Sequence, residues 1–140
     1  MTDLAWVPCV LEDVSIDTRF FMGGPYYTSP SDTDFEALFL LPMPTMKDGR
    51  RLHISGLKIG VYDGNPADYV SRAIVYAASF DKYQGLLDDS TPRNAKGSYT
   101  YPIATTDVST FEKVVVRLWC VASQPKGLDI SSILVQCQYI

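Results

Sequence analysis

From residue 34 onward, apolar side chains recur at every second position in one run after another, and the runs are separated by clusters of Gly, Pro, Asp and Asn. A period of two is the period of a strand, whose side chains point to opposite faces in turn. The first run, 34–41, sets Phe35, Ala37, Phe39 and Leu41 on one face and Leu38 and Leu40 on the other, which predicts a strand covered on both sides. Pro42 and Pro44 end it, because proline supplies no N–H to a ladder. Lys47-Asp48-Gly49 follows as a turn.

The stretch 50–80 organises the rest. It predicts two long strands joined as a hairpin by a tight turn at 63–66, Asp-Gly-Asn-Pro. In the first strand Leu52 and Ile54 share a face, whereas Leu57, Ile59 and Val61 share the opposite parity. One extra residue near Gly56, a β-bulge, returns both sets to the same side. In the second strand Val70, Ile74, Tyr76, Ala78 and Phe80 alternate with Ser71, Ala73, Ala77 and Ser79, giving one apolar face and one small or polar face.

Residues 81–97 predict a long loop, of a length usually tied to function or mobility. Strands follow at 99–103, 111–122 and 133–139, with turns between them. No window sustains helical spacing. The predicted fold is all-β: an antiparallel β-sandwich, jelly-roll-like, over 32–140. Residues 1–31 form an irregular, apolar N-terminal arm, which either adds an edge strand within 10–21 or docks on a neighbouring subunit.

Composition adjusts this picture in few places. The chain has 140 residues, enough for one domain with its own core. Nine Tyr, six Phe and two Trp favour pleated, half-buried surfaces. A net charge of -4 with scattered Lys and Arg argues against a nucleic-acid partner. No basic segment leads into an apolar run, and no apolar run is long enough for a membrane helix, so neither a signal peptide nor a membrane partner is expected.

Candidate chemistry is sparse. The single histidine, His53, lies opposite Leu52 and Ile54 and reads as a rim residue. Cys9, Cys120 and Cys137 lack any CxxC spacing, so no zinc site is expected. Cys120 and Cys137 fall on the last two strands and are near enough in topology to pair; packed, reduced thiols are the favoured alternative. Asp88-Asp89 in the long loop offers oxygen atoms to calcium but lacks a ligand ladder. No cofactor is expected.

Taken together, the Leu41-Pro42-Met43-Pro44 stop, the Lys47-Asp48-Gly49 turn, Ile54-Ser55-Gly56-Leu57-Lys58-Ile59, Val114-Val115-Val116-Arg117-Leu118 and 130–135 near the end make a pattern of strands and turns. Over about 35–140 the chain resembles small jelly-roll-like β-sandwich domains of phage and environmental structural proteins, such as tail, fibre and capsid-decorating components. The resemblance implies self-assembly or attachment rather than catalysis, and it carries no functional residues. The expected function is therefore a non-enzymatic structural subunit of a virion or other extracellular assembly. Its partners would be further copies or other structural proteins, met through Trp6, Val10, Phe20, Phe21, Tyr26, Tyr27, Leu38 and Leu40. The alternative is a carbohydrate-binding or adhesion module that meets a glycan through Tyr26, Tyr27 and Tyr83, since exposed tyrosines stack on flat apolar surfaces. A small hydrolase on a sandwich scaffold is the third reading.

Overall fold

The alternating runs form strands that divide between two antiparallel sheets. The computed structural model describes residues 3–14, 22–23, 26–29 and 32–140. Its strands are β1 (Ala5–Pro8), β2 (Val10–Val14), β3 (Met22–Gly23), β4 (Tyr26–Thr28), β5 (Phe35–Leu40), β6 (Met46–Lys47), β7 (Arg50–Asp63), β8 (Tyr69–Ala78), β9 (Tyr83–Asp89), β10 (Gly97–Asp107), β11 (Lys113–Val121) and β12 (Asp129–Tyr139). Sheet A runs β10-β7-β12-β4-β3, with β1 also on β12 and β6 on β7. Sheet B runs β2-β5-β11-β8-β9. There is no helix among the described residues, and the two sheets close a sandwich as the sequence predicts.

The bulge expected near Gly56 is present. Gly56 faces Gln136 and Ile54 faces Cys137, so Ser55 is the extra residue on β7. Leu52, Ile54, Leu57, Ile59 and Val61 consequently all point into the core, each at most 2% exposed. Across from them Phe39, Val75 and Leu118 fill the core from sheet B. The Asp48-Gly49 turn has φ of 53° and 73°, the left-handed pair that a two-residue hairpin between β6 and β7 requires.

Three local expectations are corrected, and one of the two alternatives for the N-terminal region is met. Stretch 50–80 is not a hairpin: β7 stays in sheet A, and the chain crosses at 63–68 to put β8 in sheet B. The edge strand expected within 10–21 is present as β2, which pairs with β5 at the edge of sheet B, and β1 and β4 of the same region join the sandwich by pairing with β12. The predicted loop at 81–97 contains β9, the edge strand of sheet B. The last two strands, β11 and β12, lie in different sheets, so Cys120 and Cys137 are not neighbours on one hairpin.

A polar clasp holds the crossing. Asn65 and Asp68 exchange backbone hydrogen bonds of 2.9 and 3.0 Å, and the N–H of Ala67 donates to Asn65 Oδ1 at 2.8 Å. The Asp68 carboxylate, 1% exposed, accepts the N–H and the hydroxyl of Ser123, both at 2.7 Å. Burial alone would push this carboxyl up. The donors from Ser123, with others from Asn65 and Gln124, outweigh burial and hold it below the usual carboxylate range. Gly127 backs the clasp with no room to spare, since a Cβ there would sit 2.5 Å from Asp68 Oδ1.

Cys9, Cys120 and Cys137 are free and buried. Burial, and then proximity to Cys137, pushes the Cys9 thiol up to about 12; burial pushes Cys137 up to about 11 and raises Cys120 as well. Only the thiolate attacks an alkylating or disulfide reagent. The folded chain is therefore expected to leave all three thiols unmodified by a disulfide reagent at mildly alkaline pH, and to expose all three in guanidinium chloride. A fast-reacting thiol in the native chain would contradict this packing.

Candidate functional site

On β8, Ala73, Val75 and Ala77 face the core, each at most 1% exposed. Their alternates Arg72, Ile74, Tyr76 and Ala78 therefore stand on the outer face of sheet B. The small face packs inward and the apolar stripe points outward. At the tip, the Ser79 N–H donates to Lys82 O at 2.8 Å and turns the chain into β9. This places Tyr83 opposite Ala78, Gly85 opposite Tyr76 and Asp88 opposite Ile74. Leu86 is the extra residue in that register, so β9 bends as it leaves the tip.

Together with Arg117 from β11, this ribbon encloses an open groove of about 1020 Å³. Pockets for small ligands commonly span ~300–1,000 Å³. Ile74, Tyr76 and Gly85 contribute its apolar floor, and a Cβ built on Gly85 meets nothing within 4 Å. Tyr83 is 77% exposed and meets Tyr76 edge to face, with ring centroids 6.4 Å apart. Phe80 at the tip is 92% exposed. Lys82 lies over the ring of Phe111, its Nζ 4.9 Å from the centroid.

Two ion pairs border the groove. Arg72 donates Nε–H and Nη2–H to the two oxygens of Asp88 at 2.8 and 2.6 Å, a planar fork. The hydrogen bond from Arg72 holds the Asp88 carboxyl below its ordinary range. Arg117 pairs with Glu36 of β5, whose side chain is 8% exposed. The Arg117 guanidinium also lies over Trp119, 5.8 Å from the ring centroid. A planar cation, a carboxylate and two open aromatic rings therefore border a single apolar floor.

Other sequence-predicted residues are scattered. Trp6 lies half-buried on the outer face of sheet A, above Gly56 and beneath the Lys58 ammonium, whose Nζ is 4.4 Å from the ring. Val10, Leu38 and Leu40 sit on β2 and β5 of sheet B, with Val10 facing Leu40; Leu38 and Leu40 are half-buried. Tyr27 packs edge to face on core residue Phe39 at 5.3 Å. Tyr26 contributes its backbone to β4, while Phe20 and Phe21 lie outside the described residues. Val10, Leu38 and Leu40 thus lie together on the outer face of sheet B, while Trp6 and Tyr27 belong to sheet A. Of the tyrosines named for a glycan whose side chains are described, Tyr83 lines the groove and Tyr27 belongs to the other sheet. Sequence reasoning missed Arg72, Tyr76, Phe80 and Arg117.

His53 stands on β7 in sheet A, apart from the groove on sheet B, with Nδ1 3.0 Å from the carbonyl oxygen of Arg51. Asp88 and Asp89 are strand residues engaged by Arg72 and by the Thr91 N–H, not a paired loop site. Among the described residues no cluster of three or more His, Cys, Asp or Glu side chains has metal-binding geometry. No helix among them is long and apolar enough to cross a membrane.

No protein-family model matches the sequence, and no curated protein is a detectable relative. Solved structures do match. In fold, the chain resembles carbohydrate-binding modules. Chitosan-binding module 1 of a chitosanase/glucanase from Paenibacillus sp. IK-5 superposes with a TM-score of 0.52 at 13% identity, over 91% of this chain and 92% of that one. The CBM32 of AlyQ, solved with 4,5-unsaturated mannuronic acid, gives 0.53 at 8% identity, over 94% and 97%. The fifth CBM32 of GH89 from Clostridium perfringens, solved with GalNAc-β-1,3-galactose, gives 0.51 at 9%, over 94% and 99%. These neighbours overturn the resemblance to phage tail, fibre and capsid domains, and with it the expectation of a self-assembling virion subunit. Strand spacing and Pro-x-Pro stops recur across unrelated sandwiches, so the pattern behind that expectation does not separate one sandwich family from another.

Proposed function

We propose that this domain is a carbohydrate-binding module that holds a glycan in the groove on the outer face of β8 and β9, without turning it over. The observation that carries this is Tyr83: a ring 77% exposed, braced edge-on by Tyr76 and open toward an apolar floor. A sugar ring has an apolar face of C–H groups and a polar rim of hydroxyls. Tyr83 and Phe80 suit the face, and the Arg72–Asp88 fork suits the rim. The fold shared with glycan-binding modules supports the same conclusion.

The groove runs along β8 from the row of Ala78 to that of Arg72, a rise of about 20 Å at about 3.3 Å for each step between neighbouring residues. That length favours a stretch of polysaccharide over a lone sugar. Tyr83→Ala is expected to raise the Kd for the bound glycan at least about tenfold, close to 1.4 kcal/mol. Tyr62→Ala, on sheet A, serves as the control and should leave the Kd unchanged. Titration calorimetry on the glycan selected by affinity electrophoresis reads both, and an unaltered Kd for Tyr83→Ala would refute the groove. The same glycan, incubated with the domain and assayed for new reducing ends, is expected to show none.

A further inference from the structure

Charge is balanced at the groove. Arg72, Lys82 and Arg117 meet Asp81, Asp88 and, beside Arg117, Glu36. Resting on the glycan-binding proposal above, we infer that the ligand is an uncharged glycan, recognised through its hydroxyl pairs and not through uronate or amino groups. The Arg72–Asp88 fork leaves further N–H donors on the guanidinium and further lone pairs on the carboxylate. A hydroxyl donates and accepts, so two neighbouring hydroxyls satisfy both halves of the fork at once. A carboxylate only accepts, and reaching Arg72 sets it against Asp88. An ammonium only donates, and reaching Asp88 sets it against Arg72.

The remaining cations do not alter this balance. Arg117 is held by a carboxylate that is 8% exposed, and drawing it toward an anionic ligand strands that buried charge. Lys82 rests over Phe111 at 4.9 Å. At the separations where charge would steer a polymer, the opposed charges cancel.

The test uses the whole chain in affinity electrophoresis and calorimetry against galactan, galactomannan and xyloglucan, with polygalacturonate and glycol chitosan as the anionic and cationic arms. Retention is expected on a neutral polymer, with a Kd that moves less than about twofold between low and high salt. Asp88→Asn leaves the groove net positive and should gain polygalacturonate at low salt. Arg72→Gln leaves it net negative and should gain glycol chitosan. Tighter Tyr83-dependent binding of the wild-type chain to polygalacturonate or glycol chitosan than to any neutral polymer overturns the uncharged ligand and leaves the groove standing. Absence of Tyr83-dependent binding to every polymer overturns both.

Discussion

Asp68→Ala is expected to destabilise the fold by about 3 kcal/mol, because it removes a buried charged acceptor that takes both the N–H and the hydroxyl of Ser123. For a chain of this size that is roughly 10 °C in the unfolding midpoint, at about 3 °C per kcal/mol. The effect should be large because Asp68 secures the crossing between the two sheets, where Asn65, Ser123 and Gly127 converge on it. Its pH dependence has a definite sign. The folded-state pKa is depressed, so the ionised clasp contributes its full stability above the unfolded carboxylate value of about 3.9, and loses it as pH falls through the folded value. The gap between wild type and Asp68→Ala should therefore be flat at neutral pH and narrow in acid. Gly127→Ala attacks the same contact, forcing a methyl to within 2.5 Å of Asp68 Oδ1. Combined with Asp68→Ala it should cost less than the two single changes added together. Thermal melts of the three variants, followed by circular dichroism across pH, check all of this; simple additivity would mean the clasp is not a unit.

Gly85→Trp is expected to abolish glycan retention while leaving the unfolding midpoint within a few degrees of wild type. Gly85 lies on β9 opposite Tyr76, on the groove floor, and an added Cβ meets nothing within 4 Å. Its backbone is outside the left-handed region, so a larger residue carries no conformational strain there. Tryptophan also suits a strand better than glycine does. The indole would occupy the space that the ligand requires and touch little else. Gly85→Ala should fold equally well and weaken binding only in part. Full retention by a folded Gly85→Trp chain would place the ligand elsewhere on the molecule.

What could be read from the sequence was local. The strands read from alternation at 34–41, 111–122 and 133–139 coincide in large part with β5, β11 and β12, and the bulge at Ser55 follows from the parity change at Gly56, which lies within a few residues. Partner choice did not follow, because adjacency in a sheet is a long-range property. Asp63-Gly64-Asn65-Pro66 reverses the chain equally well for a hairpin or for a passage between sheets. β9 was hidden because Gln84 and Gly85 have low strand preference and the extra residue Leu86 breaks the alternation. The groove was half visible. The stripe Ile74, Tyr76, Ala78 and Phe80 is plain in the sequence, but an apolar stripe normally points inward. Here the small side chains of Ala73 and Ala77 take the core side, where close packing rewards small volume, and the larger ones are left outside. Aromatic content alone does not show what each ring packs on: Tyr27 lies on Phe39, and Trp6 covers the bare backbone at Gly56.

The pairing of β1 with β12 also determines how this domain hangs from anything joined to it. Ala5 lies opposite Cys137, so the two ends of the fold come together at about 5 Å between Cα atoms. Both belong to sheet A, and the groove opens from the outer face of sheet B. A linker at either end, or one at both, would leave from the sheet that does not carry the groove. Hung on such a tether, the domain would turn the groove away from its point of attachment.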